Sequence, residues 1–376
     1  MEYKLLKNIA QITMGQSPDS SSYNEEEKGL PFYQGNADFG ELYPTARVWC
    51  DAPKKIASEG DILISVRAPI GALNYASEDC CIGRGLAAIT IKNEAEKNYV
   101  YHLLKARKTD LNSKGTGSTF KAIGKSVLEE VQVPVISREQ QEISMQLMDT
   151  IENVIRQRKK ELRLLDELVK ARFVEMFGTL DNPSQEFAKA TLKELCNKIT
   201  DGKHGGCKAE EGTERYFVGA REIYDDEVHY DTAPEINIDE FEKDYKRCNI
   251  EIGDFLIVNT GATIGKSAIA TDERTEHTLL QKSVALLKVK KEVLNPVFLK
   301  WCYRVNTQMY IIESASAQPN LLLSKINATV IYVPNIELQN QFVSFVEQVD
   351  KSKAVVQKSL DESQMLFDSL MQKYFG

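Results

Sequence analysis

The chain has 376 residues, of which 42% are hydrophobic and 27% charged, with 47 Lys and Arg against 55 Asp and Glu. This length exceeds one ordinary core and predicts two or three domains, and the hydrophobic content excludes wholesale disorder. The net charge of −8, taken as a total, argues against nucleic acid as a partner, so its local distribution matters.

Targeting and redox signals are the first features along the chain. The N-terminal residues lack an apolar signal core, and no apolar run reaches the roughly 20 residues that cross a bilayer. We therefore expect a cytoplasmic protein without membrane contact. The 7 cysteines are odd in number and scattered, which predicts reduced thiols.

A repeat organises the chain, because several strings recur in the same order about 185 to 200 residues apart. EGDILISVRAPIG at residues 59–71 returns as IGDFLIVNTGATIG at 252–265. VPVISREQQ, which begins at Val133, returns as VPNIELQNQ, which begins at Val333. The pattern predicts a duplicated unit.

Each unit has two parts with different periodicity. Short β-branched runs punctuated by Gly, Pro and Asn predict a strand-rich head, and the following stretch, free of Gly and Pro, predicts one long helix. The predicted fold is α+β: two strand-rich α/β heads separated by two long antiparallel helices that form a coiled coil, with a pseudo-two-fold internal repeat. The predicted domain boundaries are 1–137, 138–178, 179–336 and 337–376.

The two helices carry apolar stripes at alternating spacings of three and four. Such a stripe suits packing against another helix, although most amphipathic helices pack on their own globular domain. About 40 residues span roughly 60 Å, which is too long for one small head to cover, so we favour a helix pair. The stripe positions are Ile151, Ile155, Leu162, Leu165, Val169, Phe173 and Met176, and then Val349, Val356, Leu360, Phe367, Leu370 and Tyr374.

Catalytic motifs are incomplete. GATIGKS at 261–267 has three residues between its glycines where a phosphate-binding loop needs four, and no crossover helix follows GRGLAA at 83–88. Residues 295–298 lack the second proline of an amino-methyltransferase loop. Three possible zinc ligands lack a fourth at typical spacing: Cys196, His204 and Cys207. We predict no catalytic residue, cofactor or metal.

Basic residues are concentrated at one place in each copy. Residues 100–125 hold six basic residues and one acid, and so do residues 282–304. Such a patch suits contacts with phosphates, although a solvated helix face explains a single run equally well. Its recurrence in both copies favours DNA binding. The patch residues selected as DNA contacts are Lys105, Lys114, Lys121 and Lys282.

Polar residues on three predicted loops are candidates for reading bases. Amides pair with adenine and arginine pairs with guanine in the major groove, whereas ordinary turn chemistry explains the same residues one at a time. The candidates are Gln34, Asn36, Arg67, Thr119, Arg221, Asn259, Thr260, Gln318 and Asn320.

The ordered elements together resemble the specificity subunits of type I restriction-modification systems. The resemblance rests on ITMGQSP at 12–18, the two GD-strand motifs, the two VP junctions into helices, and the duplication. It implies a non-catalytic subunit with two target recognition domains that read the halves of a bipartite site in double-stranded DNA. It also implies two methyltransferase subunits, which bind S-adenosylmethionine, and restriction (motor-nuclease) subunits as partners.

The copies differ at most candidate reading positions, which predicts an asymmetric site. The acidic second head predicts weak DNA binding until partner subunits are present. A coiled-coil adaptor without sequence-specific DNA binding is the competing interpretation, and binding across a range of salt concentrations separates the two.

Overall fold

The computed structural model describes residues 2–93, 96–117, 121–310 and 320–375. It divides into two compact units, of which the first is Met1–Lys159 with Lys358–Gly376 and the second is Lys160–Gln357. Each unit contains one head and part of both long helices. We call residues 2–137 the first head and residues 179–335 the second head.

The elements of the first head are short strands with a few short helices. Its strands are β1 (Tyr3–Leu5), β2 (Ala10–Met14), β3 (Tyr23–Asn24), β4 (Leu30–Tyr33), β5 (Trp49–Cys50), β6 (Ile56–Ala57), β7 (Ile62–Ser65), β8 (Leu73–Tyr75), β9 (Cys80–Ile82), β10 (Leu86–Ile91) and β11 (Gln132–Pro134). Its helices are α1 (Leu6–Ile9), α2 (Lys97–Ala106), α3 (Lys108–Ser113) and α4 (Lys125–Glu129).

The first long helix, α5 (Arg138–Phe177), leads to the second head, and the second long helix, α10 (Ile336–Phe375), follows it. The strands of the second head are β12 (Ala188–Thr191), β13 (Cys196–Asp201), β14 (Tyr216–Val218), β15 (Ile223–Tyr224), β16 (Glu227–Val228), β17 (Phe255–Val258), β18 (Ser267–Ile269), β19 (Thr278–Leu280), β20 (Val284–Val289) and β21 (Val330–Val333). Its helices are α6 (Leu192–Leu195), α7 (Ile238–Tyr245), α8 (Pro296–Val305) and α9 (Leu323–Ala328).

The main sheets of the two heads have corresponding strand orders. In the first head the order is β2-β10-β7-β8, and in the second it is β13-β20-β17-β18, with antiparallel neighbours throughout. Each head also has one short parallel pair, β4 with β9 and β14 with β19. The β-branched runs form these strands because both faces of the central strands are buried, which suits Val, Ile and Leu.

The GD motif builds the same tight turn in both heads. Gly60 and Gly253 have φ angles of 82° and 93°, a left-handed conformation that favours glycine. The following residues, Asp61 and Asp254, each accept a hydrogen bond from a backbone N–H three residues earlier, at 2.9 and 2.8 Å. Both carboxylates are buried, so these bonds satisfy them and fix the start of β7 and β17.

The two long helices contact each other within the second unit. Asp166 of α5 pairs with Lys353 of α10, and further along the ring of Phe173 lies 5.3 Å from that of Phe342. Because the residue number rises along one helix as it falls along the other, the two segments run antiparallel. In the first unit, both helices line one cleft of about 280 Å³, which includes Glu152 and Phe367.

Most residues of the apolar stripes are buried as expected, but Leu162, Leu165 and Leu370 are only partly buried, and the last turn of each helix differs from the prediction. Phe177 and Phe375 are the buried residues there, whereas Met176 and Tyr374 are only partly buried. The reason is that each last turn packs on a head: the ring of Phe177 lies 4.9 Å from Phe298, and the ring of Phe375 lies 5.2 Å from Tyr99.

Burial also defines the state of the thiols. The cysteines are free, and all except Cys207 are buried. Desolvation raises the pKa of Cys80 to about 12 and that of Cys81 to about 11, so both thiols are protonated at neutral pH. Across the described ranges, no helix combines the length and the apolar character needed to cross a membrane.

Candidate nucleic-acid interface

Loops at one edge of the main sheet bring predicted residues of the first head together. The Gly15 N–H donates to the Leu86 carbonyl at 2.9 Å, which joins the end of β2 to the start of β10. The Val66 N–H donates to the Gly85 carbonyl at 2.9 Å, so the end of β7 meets the same place. We call residues 15–17, 34–36, 66–68, 83–85 and 121–122 the first edge.

A cleft of about 190 Å³ opens on the first edge. It brings together two of the three predicted loops, because Gln34 and Asn36 line it together with Arg67. The third loop adjoins it, since the Ala68 N–H donates to the Lys121 carbonyl at 3.0 Å. The residues that line the cleft are Ser17, Gln34, Gly35, Asn36, Arg67, Ala68, Arg84 and Gly85.

Polar contacts hold these loops in place. The Gln34 N–H donates to the Asp38 carboxylate at 2.8 Å, which shapes the loop after β4. The buried Ser65 hydroxyl donates to the Pro69 carbonyl at 2.7 Å and accepts from the Ala72 N–H at 2.9 Å. The loops that carry Gln34 and Arg67 therefore have fixed backbones beneath exposed side chains.

Gly85 allows two of these loops to touch. A Cβ built on Gly85 would lie 2.2 Å from the Gln34 carbonyl oxygen, whereas one on Gly35 would meet nothing within 4 Å. We expect Gly85→Ala to lower the free energy of unfolding by about 1–3 kcal/mol, because backbone must move. Gly35→Ala is the matched control and should change it by less than about 0.5 kcal/mol. Chemical denaturation measures both, and equal effects would contradict this account.

The second head has a corresponding edge. The Asn259 N–H donates to the Ser283 carbonyl at 3.0 Å, and the Leu321 N–H donates to the Asn259 carbonyl at 2.7 Å. The Thr260 hydroxyl donates to the Asn320 side-chain oxygen at 3.3 Å, so two predicted residues meet. We call residues 202–204, 219–221, 259–260, 281–283 and 320–321 the second edge.

Asn259 was predicted to be an exposed DNA contact, but its side chain is not exposed. Its side chain is buried, with 4% exposure, and its Oδ1 lies 3.4 Å from the Thr260 hydroxyl. The Leu321 N–H bond to the Asn259 carbonyl ties residues 320–321 to the chain just after β17, next to this side chain. Asn259 is therefore suited to supporting Thr260, while Arg221 and Lys282 on the same edge are exposed.

Several residues of the two basic patches pair with acidic residues, and others lie exposed at the edges. Lys105 pairs with Glu152 of α5 and lies over the Phe367 ring, away from the first edge, and Lys114 pairs with Asp110 at 2.8 Å. In the second head, three residues of the basic patch make ion pairs. Lys288 pairs with Glu251 and Asp254, and both Lys300 and Arg304 pair with Asp226. These pairs offset much of the local positive charge, so Lys105 and Lys114 are suited to structural roles.

Five exposed cations remain at the edges without an ion pair among the described residues. They are Arg67, Arg84, Lys121, Arg221 and Lys282. Two further predicted contacts, Thr119 and Gln318, lie outside the described residues.

Arg84 and Ser17 are edge residues that the sequence analysis did not select. A comparison of the two copies could have indicated Arg84. Ile82 of β9 and Leu280 of β19 are the last residues of the two parallel ladders. Arg84 and Lys282, two residues further on, therefore correspond. Ser17 accepts a 3.3 Å bond from the Arg84 N–H, a contact that no sequence pattern indicates.

The fold and the two edges define a class of protein with two similar heads, each with polar and basic loops at one sheet edge and each followed by one long helix. A family model described as "Type I restriction modification DNA specificity domain" matches residues 1–164 and 184–362. The chain belongs to this family.

Known relatives agree with this assignment. The chain is 41% identical over 160 residues to the provisionally assigned specificity subunit of the type I restriction enzyme MjaX of Methanocaldococcus jannaschii; this match spans 42% of the chain and 38% of that relative's length. It is 21% identical over 420 residues to the type I restriction enzyme EcoBI specificity subunit of Escherichia coli, covering 98% of the chain and 84% of the relative.

A solved structure shares the fold along the whole chain. The S subunit of a type I restriction-modification system from M. genitalium matches with a TM-score of 0.57 at 16% identity, covering 100% of this chain and 96% of that one. At this identity the match supports the fold alone.

Proposed function

We propose that this chain is the non-catalytic DNA sequence-recognition subunit of a type I restriction-modification complex, working in the cytoplasm. The observation that carries the proposal is the pair of edges, each with exposed cations that make no ion pair among the described residues. Polar side chains lie beside those cations: Gln34 and Asn36 in the first head, Thr260 and Asn320 in the second. Family membership supports the same function.

The edge chemistry suits double-stranded DNA. Lysines and arginines gain affinity by releasing counterions from phosphates, and amides and arginines distinguish base edges. The two heads differ at corresponding positions, with Arg84 in one and Lys282 in the other. Each head then reads a different half of a bipartite site, and the site is asymmetric.

The long helices set the gap between the half-sites under this proposal. Each has 40 residues and a length of about 60 Å. The antiparallel contacts within the second unit support a coiled coil, and the matching strand orders support a pseudo-two-fold repeat. Half-site centres one helical turn apart would lie about 34–36 Å from each other, within the reach of such a spacer.

The partners would be two methyltransferase subunits, which bind S-adenosylmethionine, and restriction subunits in the full complex. One apolar position on each long helix supports two equivalent docking sites. Leu168 of α5 is 48% exposed and Leu366 of α10 is 51% exposed, at matching places in the two helices. Contiguous exposed apolar patches mark interaction surfaces, whereas single exposed leucines are common. The support here is the recurrence of an exposed leucine at the same place in both helices.

We expect Leu168→Asp and Leu366→Asp each to weaken binding of one methyltransferase subunit about 10–100-fold, because a carboxylate would be desolvated at the interface. The double variant should lose both subunits. Analytical ultracentrifugation of the chain with its methyltransferase measures the stoichiometry. Gln372→Asp, exposed on another side of α10, is the matched control. Full assembly by the double variant would argue against this docking surface.

Mapping of modified bases tests the function directly. Cells that express the chain with its methyltransferase should carry one asymmetric bipartite motif, and a palindromic motif would contradict two different readers. The isolated chain should bind DNA weakly, because residues 179–337 hold 19 basic and 25 acidic residues. The assembled complex should bind strongly and lose affinity as salt rises. An adaptor without DNA recognition would produce no motif.

A further inference from the structure

We propose that Arg67 and Arg84 form an opposed arginine pair with which the first head reads a guanine, and that the second head has no equivalent pair. The inference rests on the proposed function and identifies the base that one edge recognises. It follows from strand register, from charge, and from the composition of the cleft.

Strand register places the two arginines opposite each other. β7 and β10 are antiparallel, with Ser65 opposite Leu86, and the Val66 N–H donates to the Gly85 carbonyl at 2.9 Å. The next pair in this register, just beyond the ladder, is Arg67 with Arg84. Both line the cleft of about 190 Å³.

The backbone on both sides of the pair is held. The Arg84 N–H donates to the Ser17 hydroxyl at 3.3 Å, and Arg67 forms an isolated antiparallel bridge with Ala122. Two exposed guanidinium groups therefore project from fixed positions on one edge. A site that is already formed in this way loses less conformational entropy on binding than one on a free loop.

Electrostatic repulsion between the Arg67 and Arg84 guanidinium groups disfavours their close approach when no ligand is bound. Like charges directly opposite each other on neighbouring strands are destabilising. Neither Arg67 nor Arg84 makes an ion pair with an acid among the described residues, although many other cations of the chain do. A ligand that offers hydrogen-bond acceptors to both groups would relieve this repulsion.

The cleft composition favours a base edge over a phosphate as that ligand. Guanine presents N7 and O6 as adjacent acceptors in the major groove, and an arginine fork matches both. Gln34 and Asn36 line the same cleft, and their amides suit a neighbouring adenine. Lys121, which is exposed beside the cleft but does not line it, is better suited to the phosphate backbone.

The second head differs at the same two positions. Val258 lies opposite Val284, and the Asn259 N–H donates to the Ser283 carbonyl at 3.0 Å, so the next pair is Thr260 with Lys282. Thr260 is hydrogen-bonded to Asn320 and carries no charge. A hydroxyl opposite a lysine cannot offer the guanidinium fork, so this mode of guanine reading is confined to one half-site.

Base analogues test the inference on the assembled complex with its methyltransferase subunits. Once the modified motif is known, each guanine of the site is replaced in turn by 7-deazaguanine, which lacks the N7 acceptor. We expect replacement at one position to weaken binding by the wild-type complex about 10–100-fold, the range for one good bidentate contact. In Arg67→Lys and Arg84→Lys complexes the same replacement should have little further effect.

Lys282→Gln is the matched control, because it should leave this sensitivity intact. Insensitivity of the wild-type complex to 7-deazaguanine at every position would overturn the inference, and so would a first half-site without guanine. Arginine variants that weaken all sequences equally and flatten the salt dependence would also overturn it, because they would identify a phosphate contact. Absence of any modified motif would instead count against the proposed function, and the wild-type analogue result does not depend on how the variants fold.

Discussion

Phe173→Ala is expected to lower the free energy of unfolding of the second unit by about 3–5 kcal/mol, the usual cost of removing a buried phenylalanine ring. Phe173 is fully buried, and its ring lies 5.0 Å from that of Phe177, 5.5 Å from Phe298 and 5.3 Å from Phe342. These rings come from α5, α8 and α10. The cavity would therefore open where both long helices meet the second head.

Tryptophan fluorescence in chemical denaturation can assign this loss to one unit. The chain has two tryptophans, Trp49 in the first head and Trp301 in the second, and Trp301 is buried 6.3 Å from Phe342. In a Trp49→Phe background the signal reports the second unit alone. Val174→Ala, at the neighbouring position with 40% exposure, should cost about 0.5 kcal/mol or less. A loss below about 1 kcal/mol for Phe173→Ala would contradict the packing described.

Lengthening both long helices by seven residues is expected to widen the gap in the recognition site by about three base pairs. Seven helical residues add about 10 Å, and base pairs are stacked about 3.4 Å apart. The insertions belong between Lys159 and Lys160 in α5 and between Gln357 and Lys358 in α10, where the two units divide. A heptad is chosen because it preserves the phase of the apolar stripe.

Sequencing of modified bases would show the new gap directly. The half-site sequences themselves should stay the same, because the edges are untouched. An insertion of five residues in each helix is the control: it rotates the apolar stripe by about 140° and should abolish modification. An unchanged gap after the heptad insertions would refute the role of the helices as a spacer.

Composition was sufficient to predict the long helices, but the periodicity of the apolar stripe did not predict how their last turns pack. The absence of Gly and Pro predicted helices from about 138 and 337, and the structure has Arg138–Phe177 and Ile336–Phe375. The stripe pointed to Met176, whereas Phe177 is the buried residue. In the last turns the packing partner is a head and not the other long helix, so the buried position lies one residue beyond the stripe.

The edges show a second limit of sequence reasoning. A recurring motif located the loop that carries Arg67, because both copies keep a GD turn and a following strand. Charge counts, by contrast, overstated the basic patches, since Lys105 meets Glu152, a residue 47 positions away. The opposition of Arg67 and Arg84 depends on strand register, which charge and composition do not reveal.

The discontinuous first unit has a consequence for folding during synthesis. Residues 358–376 complete a unit that otherwise ends at Lys159, and the buried Phe375 contacts Tyr99. The ribosome makes every residue of the second unit before it reaches these last ones. At about 5–20 residues per second, roughly 10–40 s pass between the synthesis of Lys159 and the synthesis of the helix segment that completes the first unit. During synthesis the N-terminal domain usually folds first, whereas in this chain the second unit is the first whose residues are all present and can fold completely.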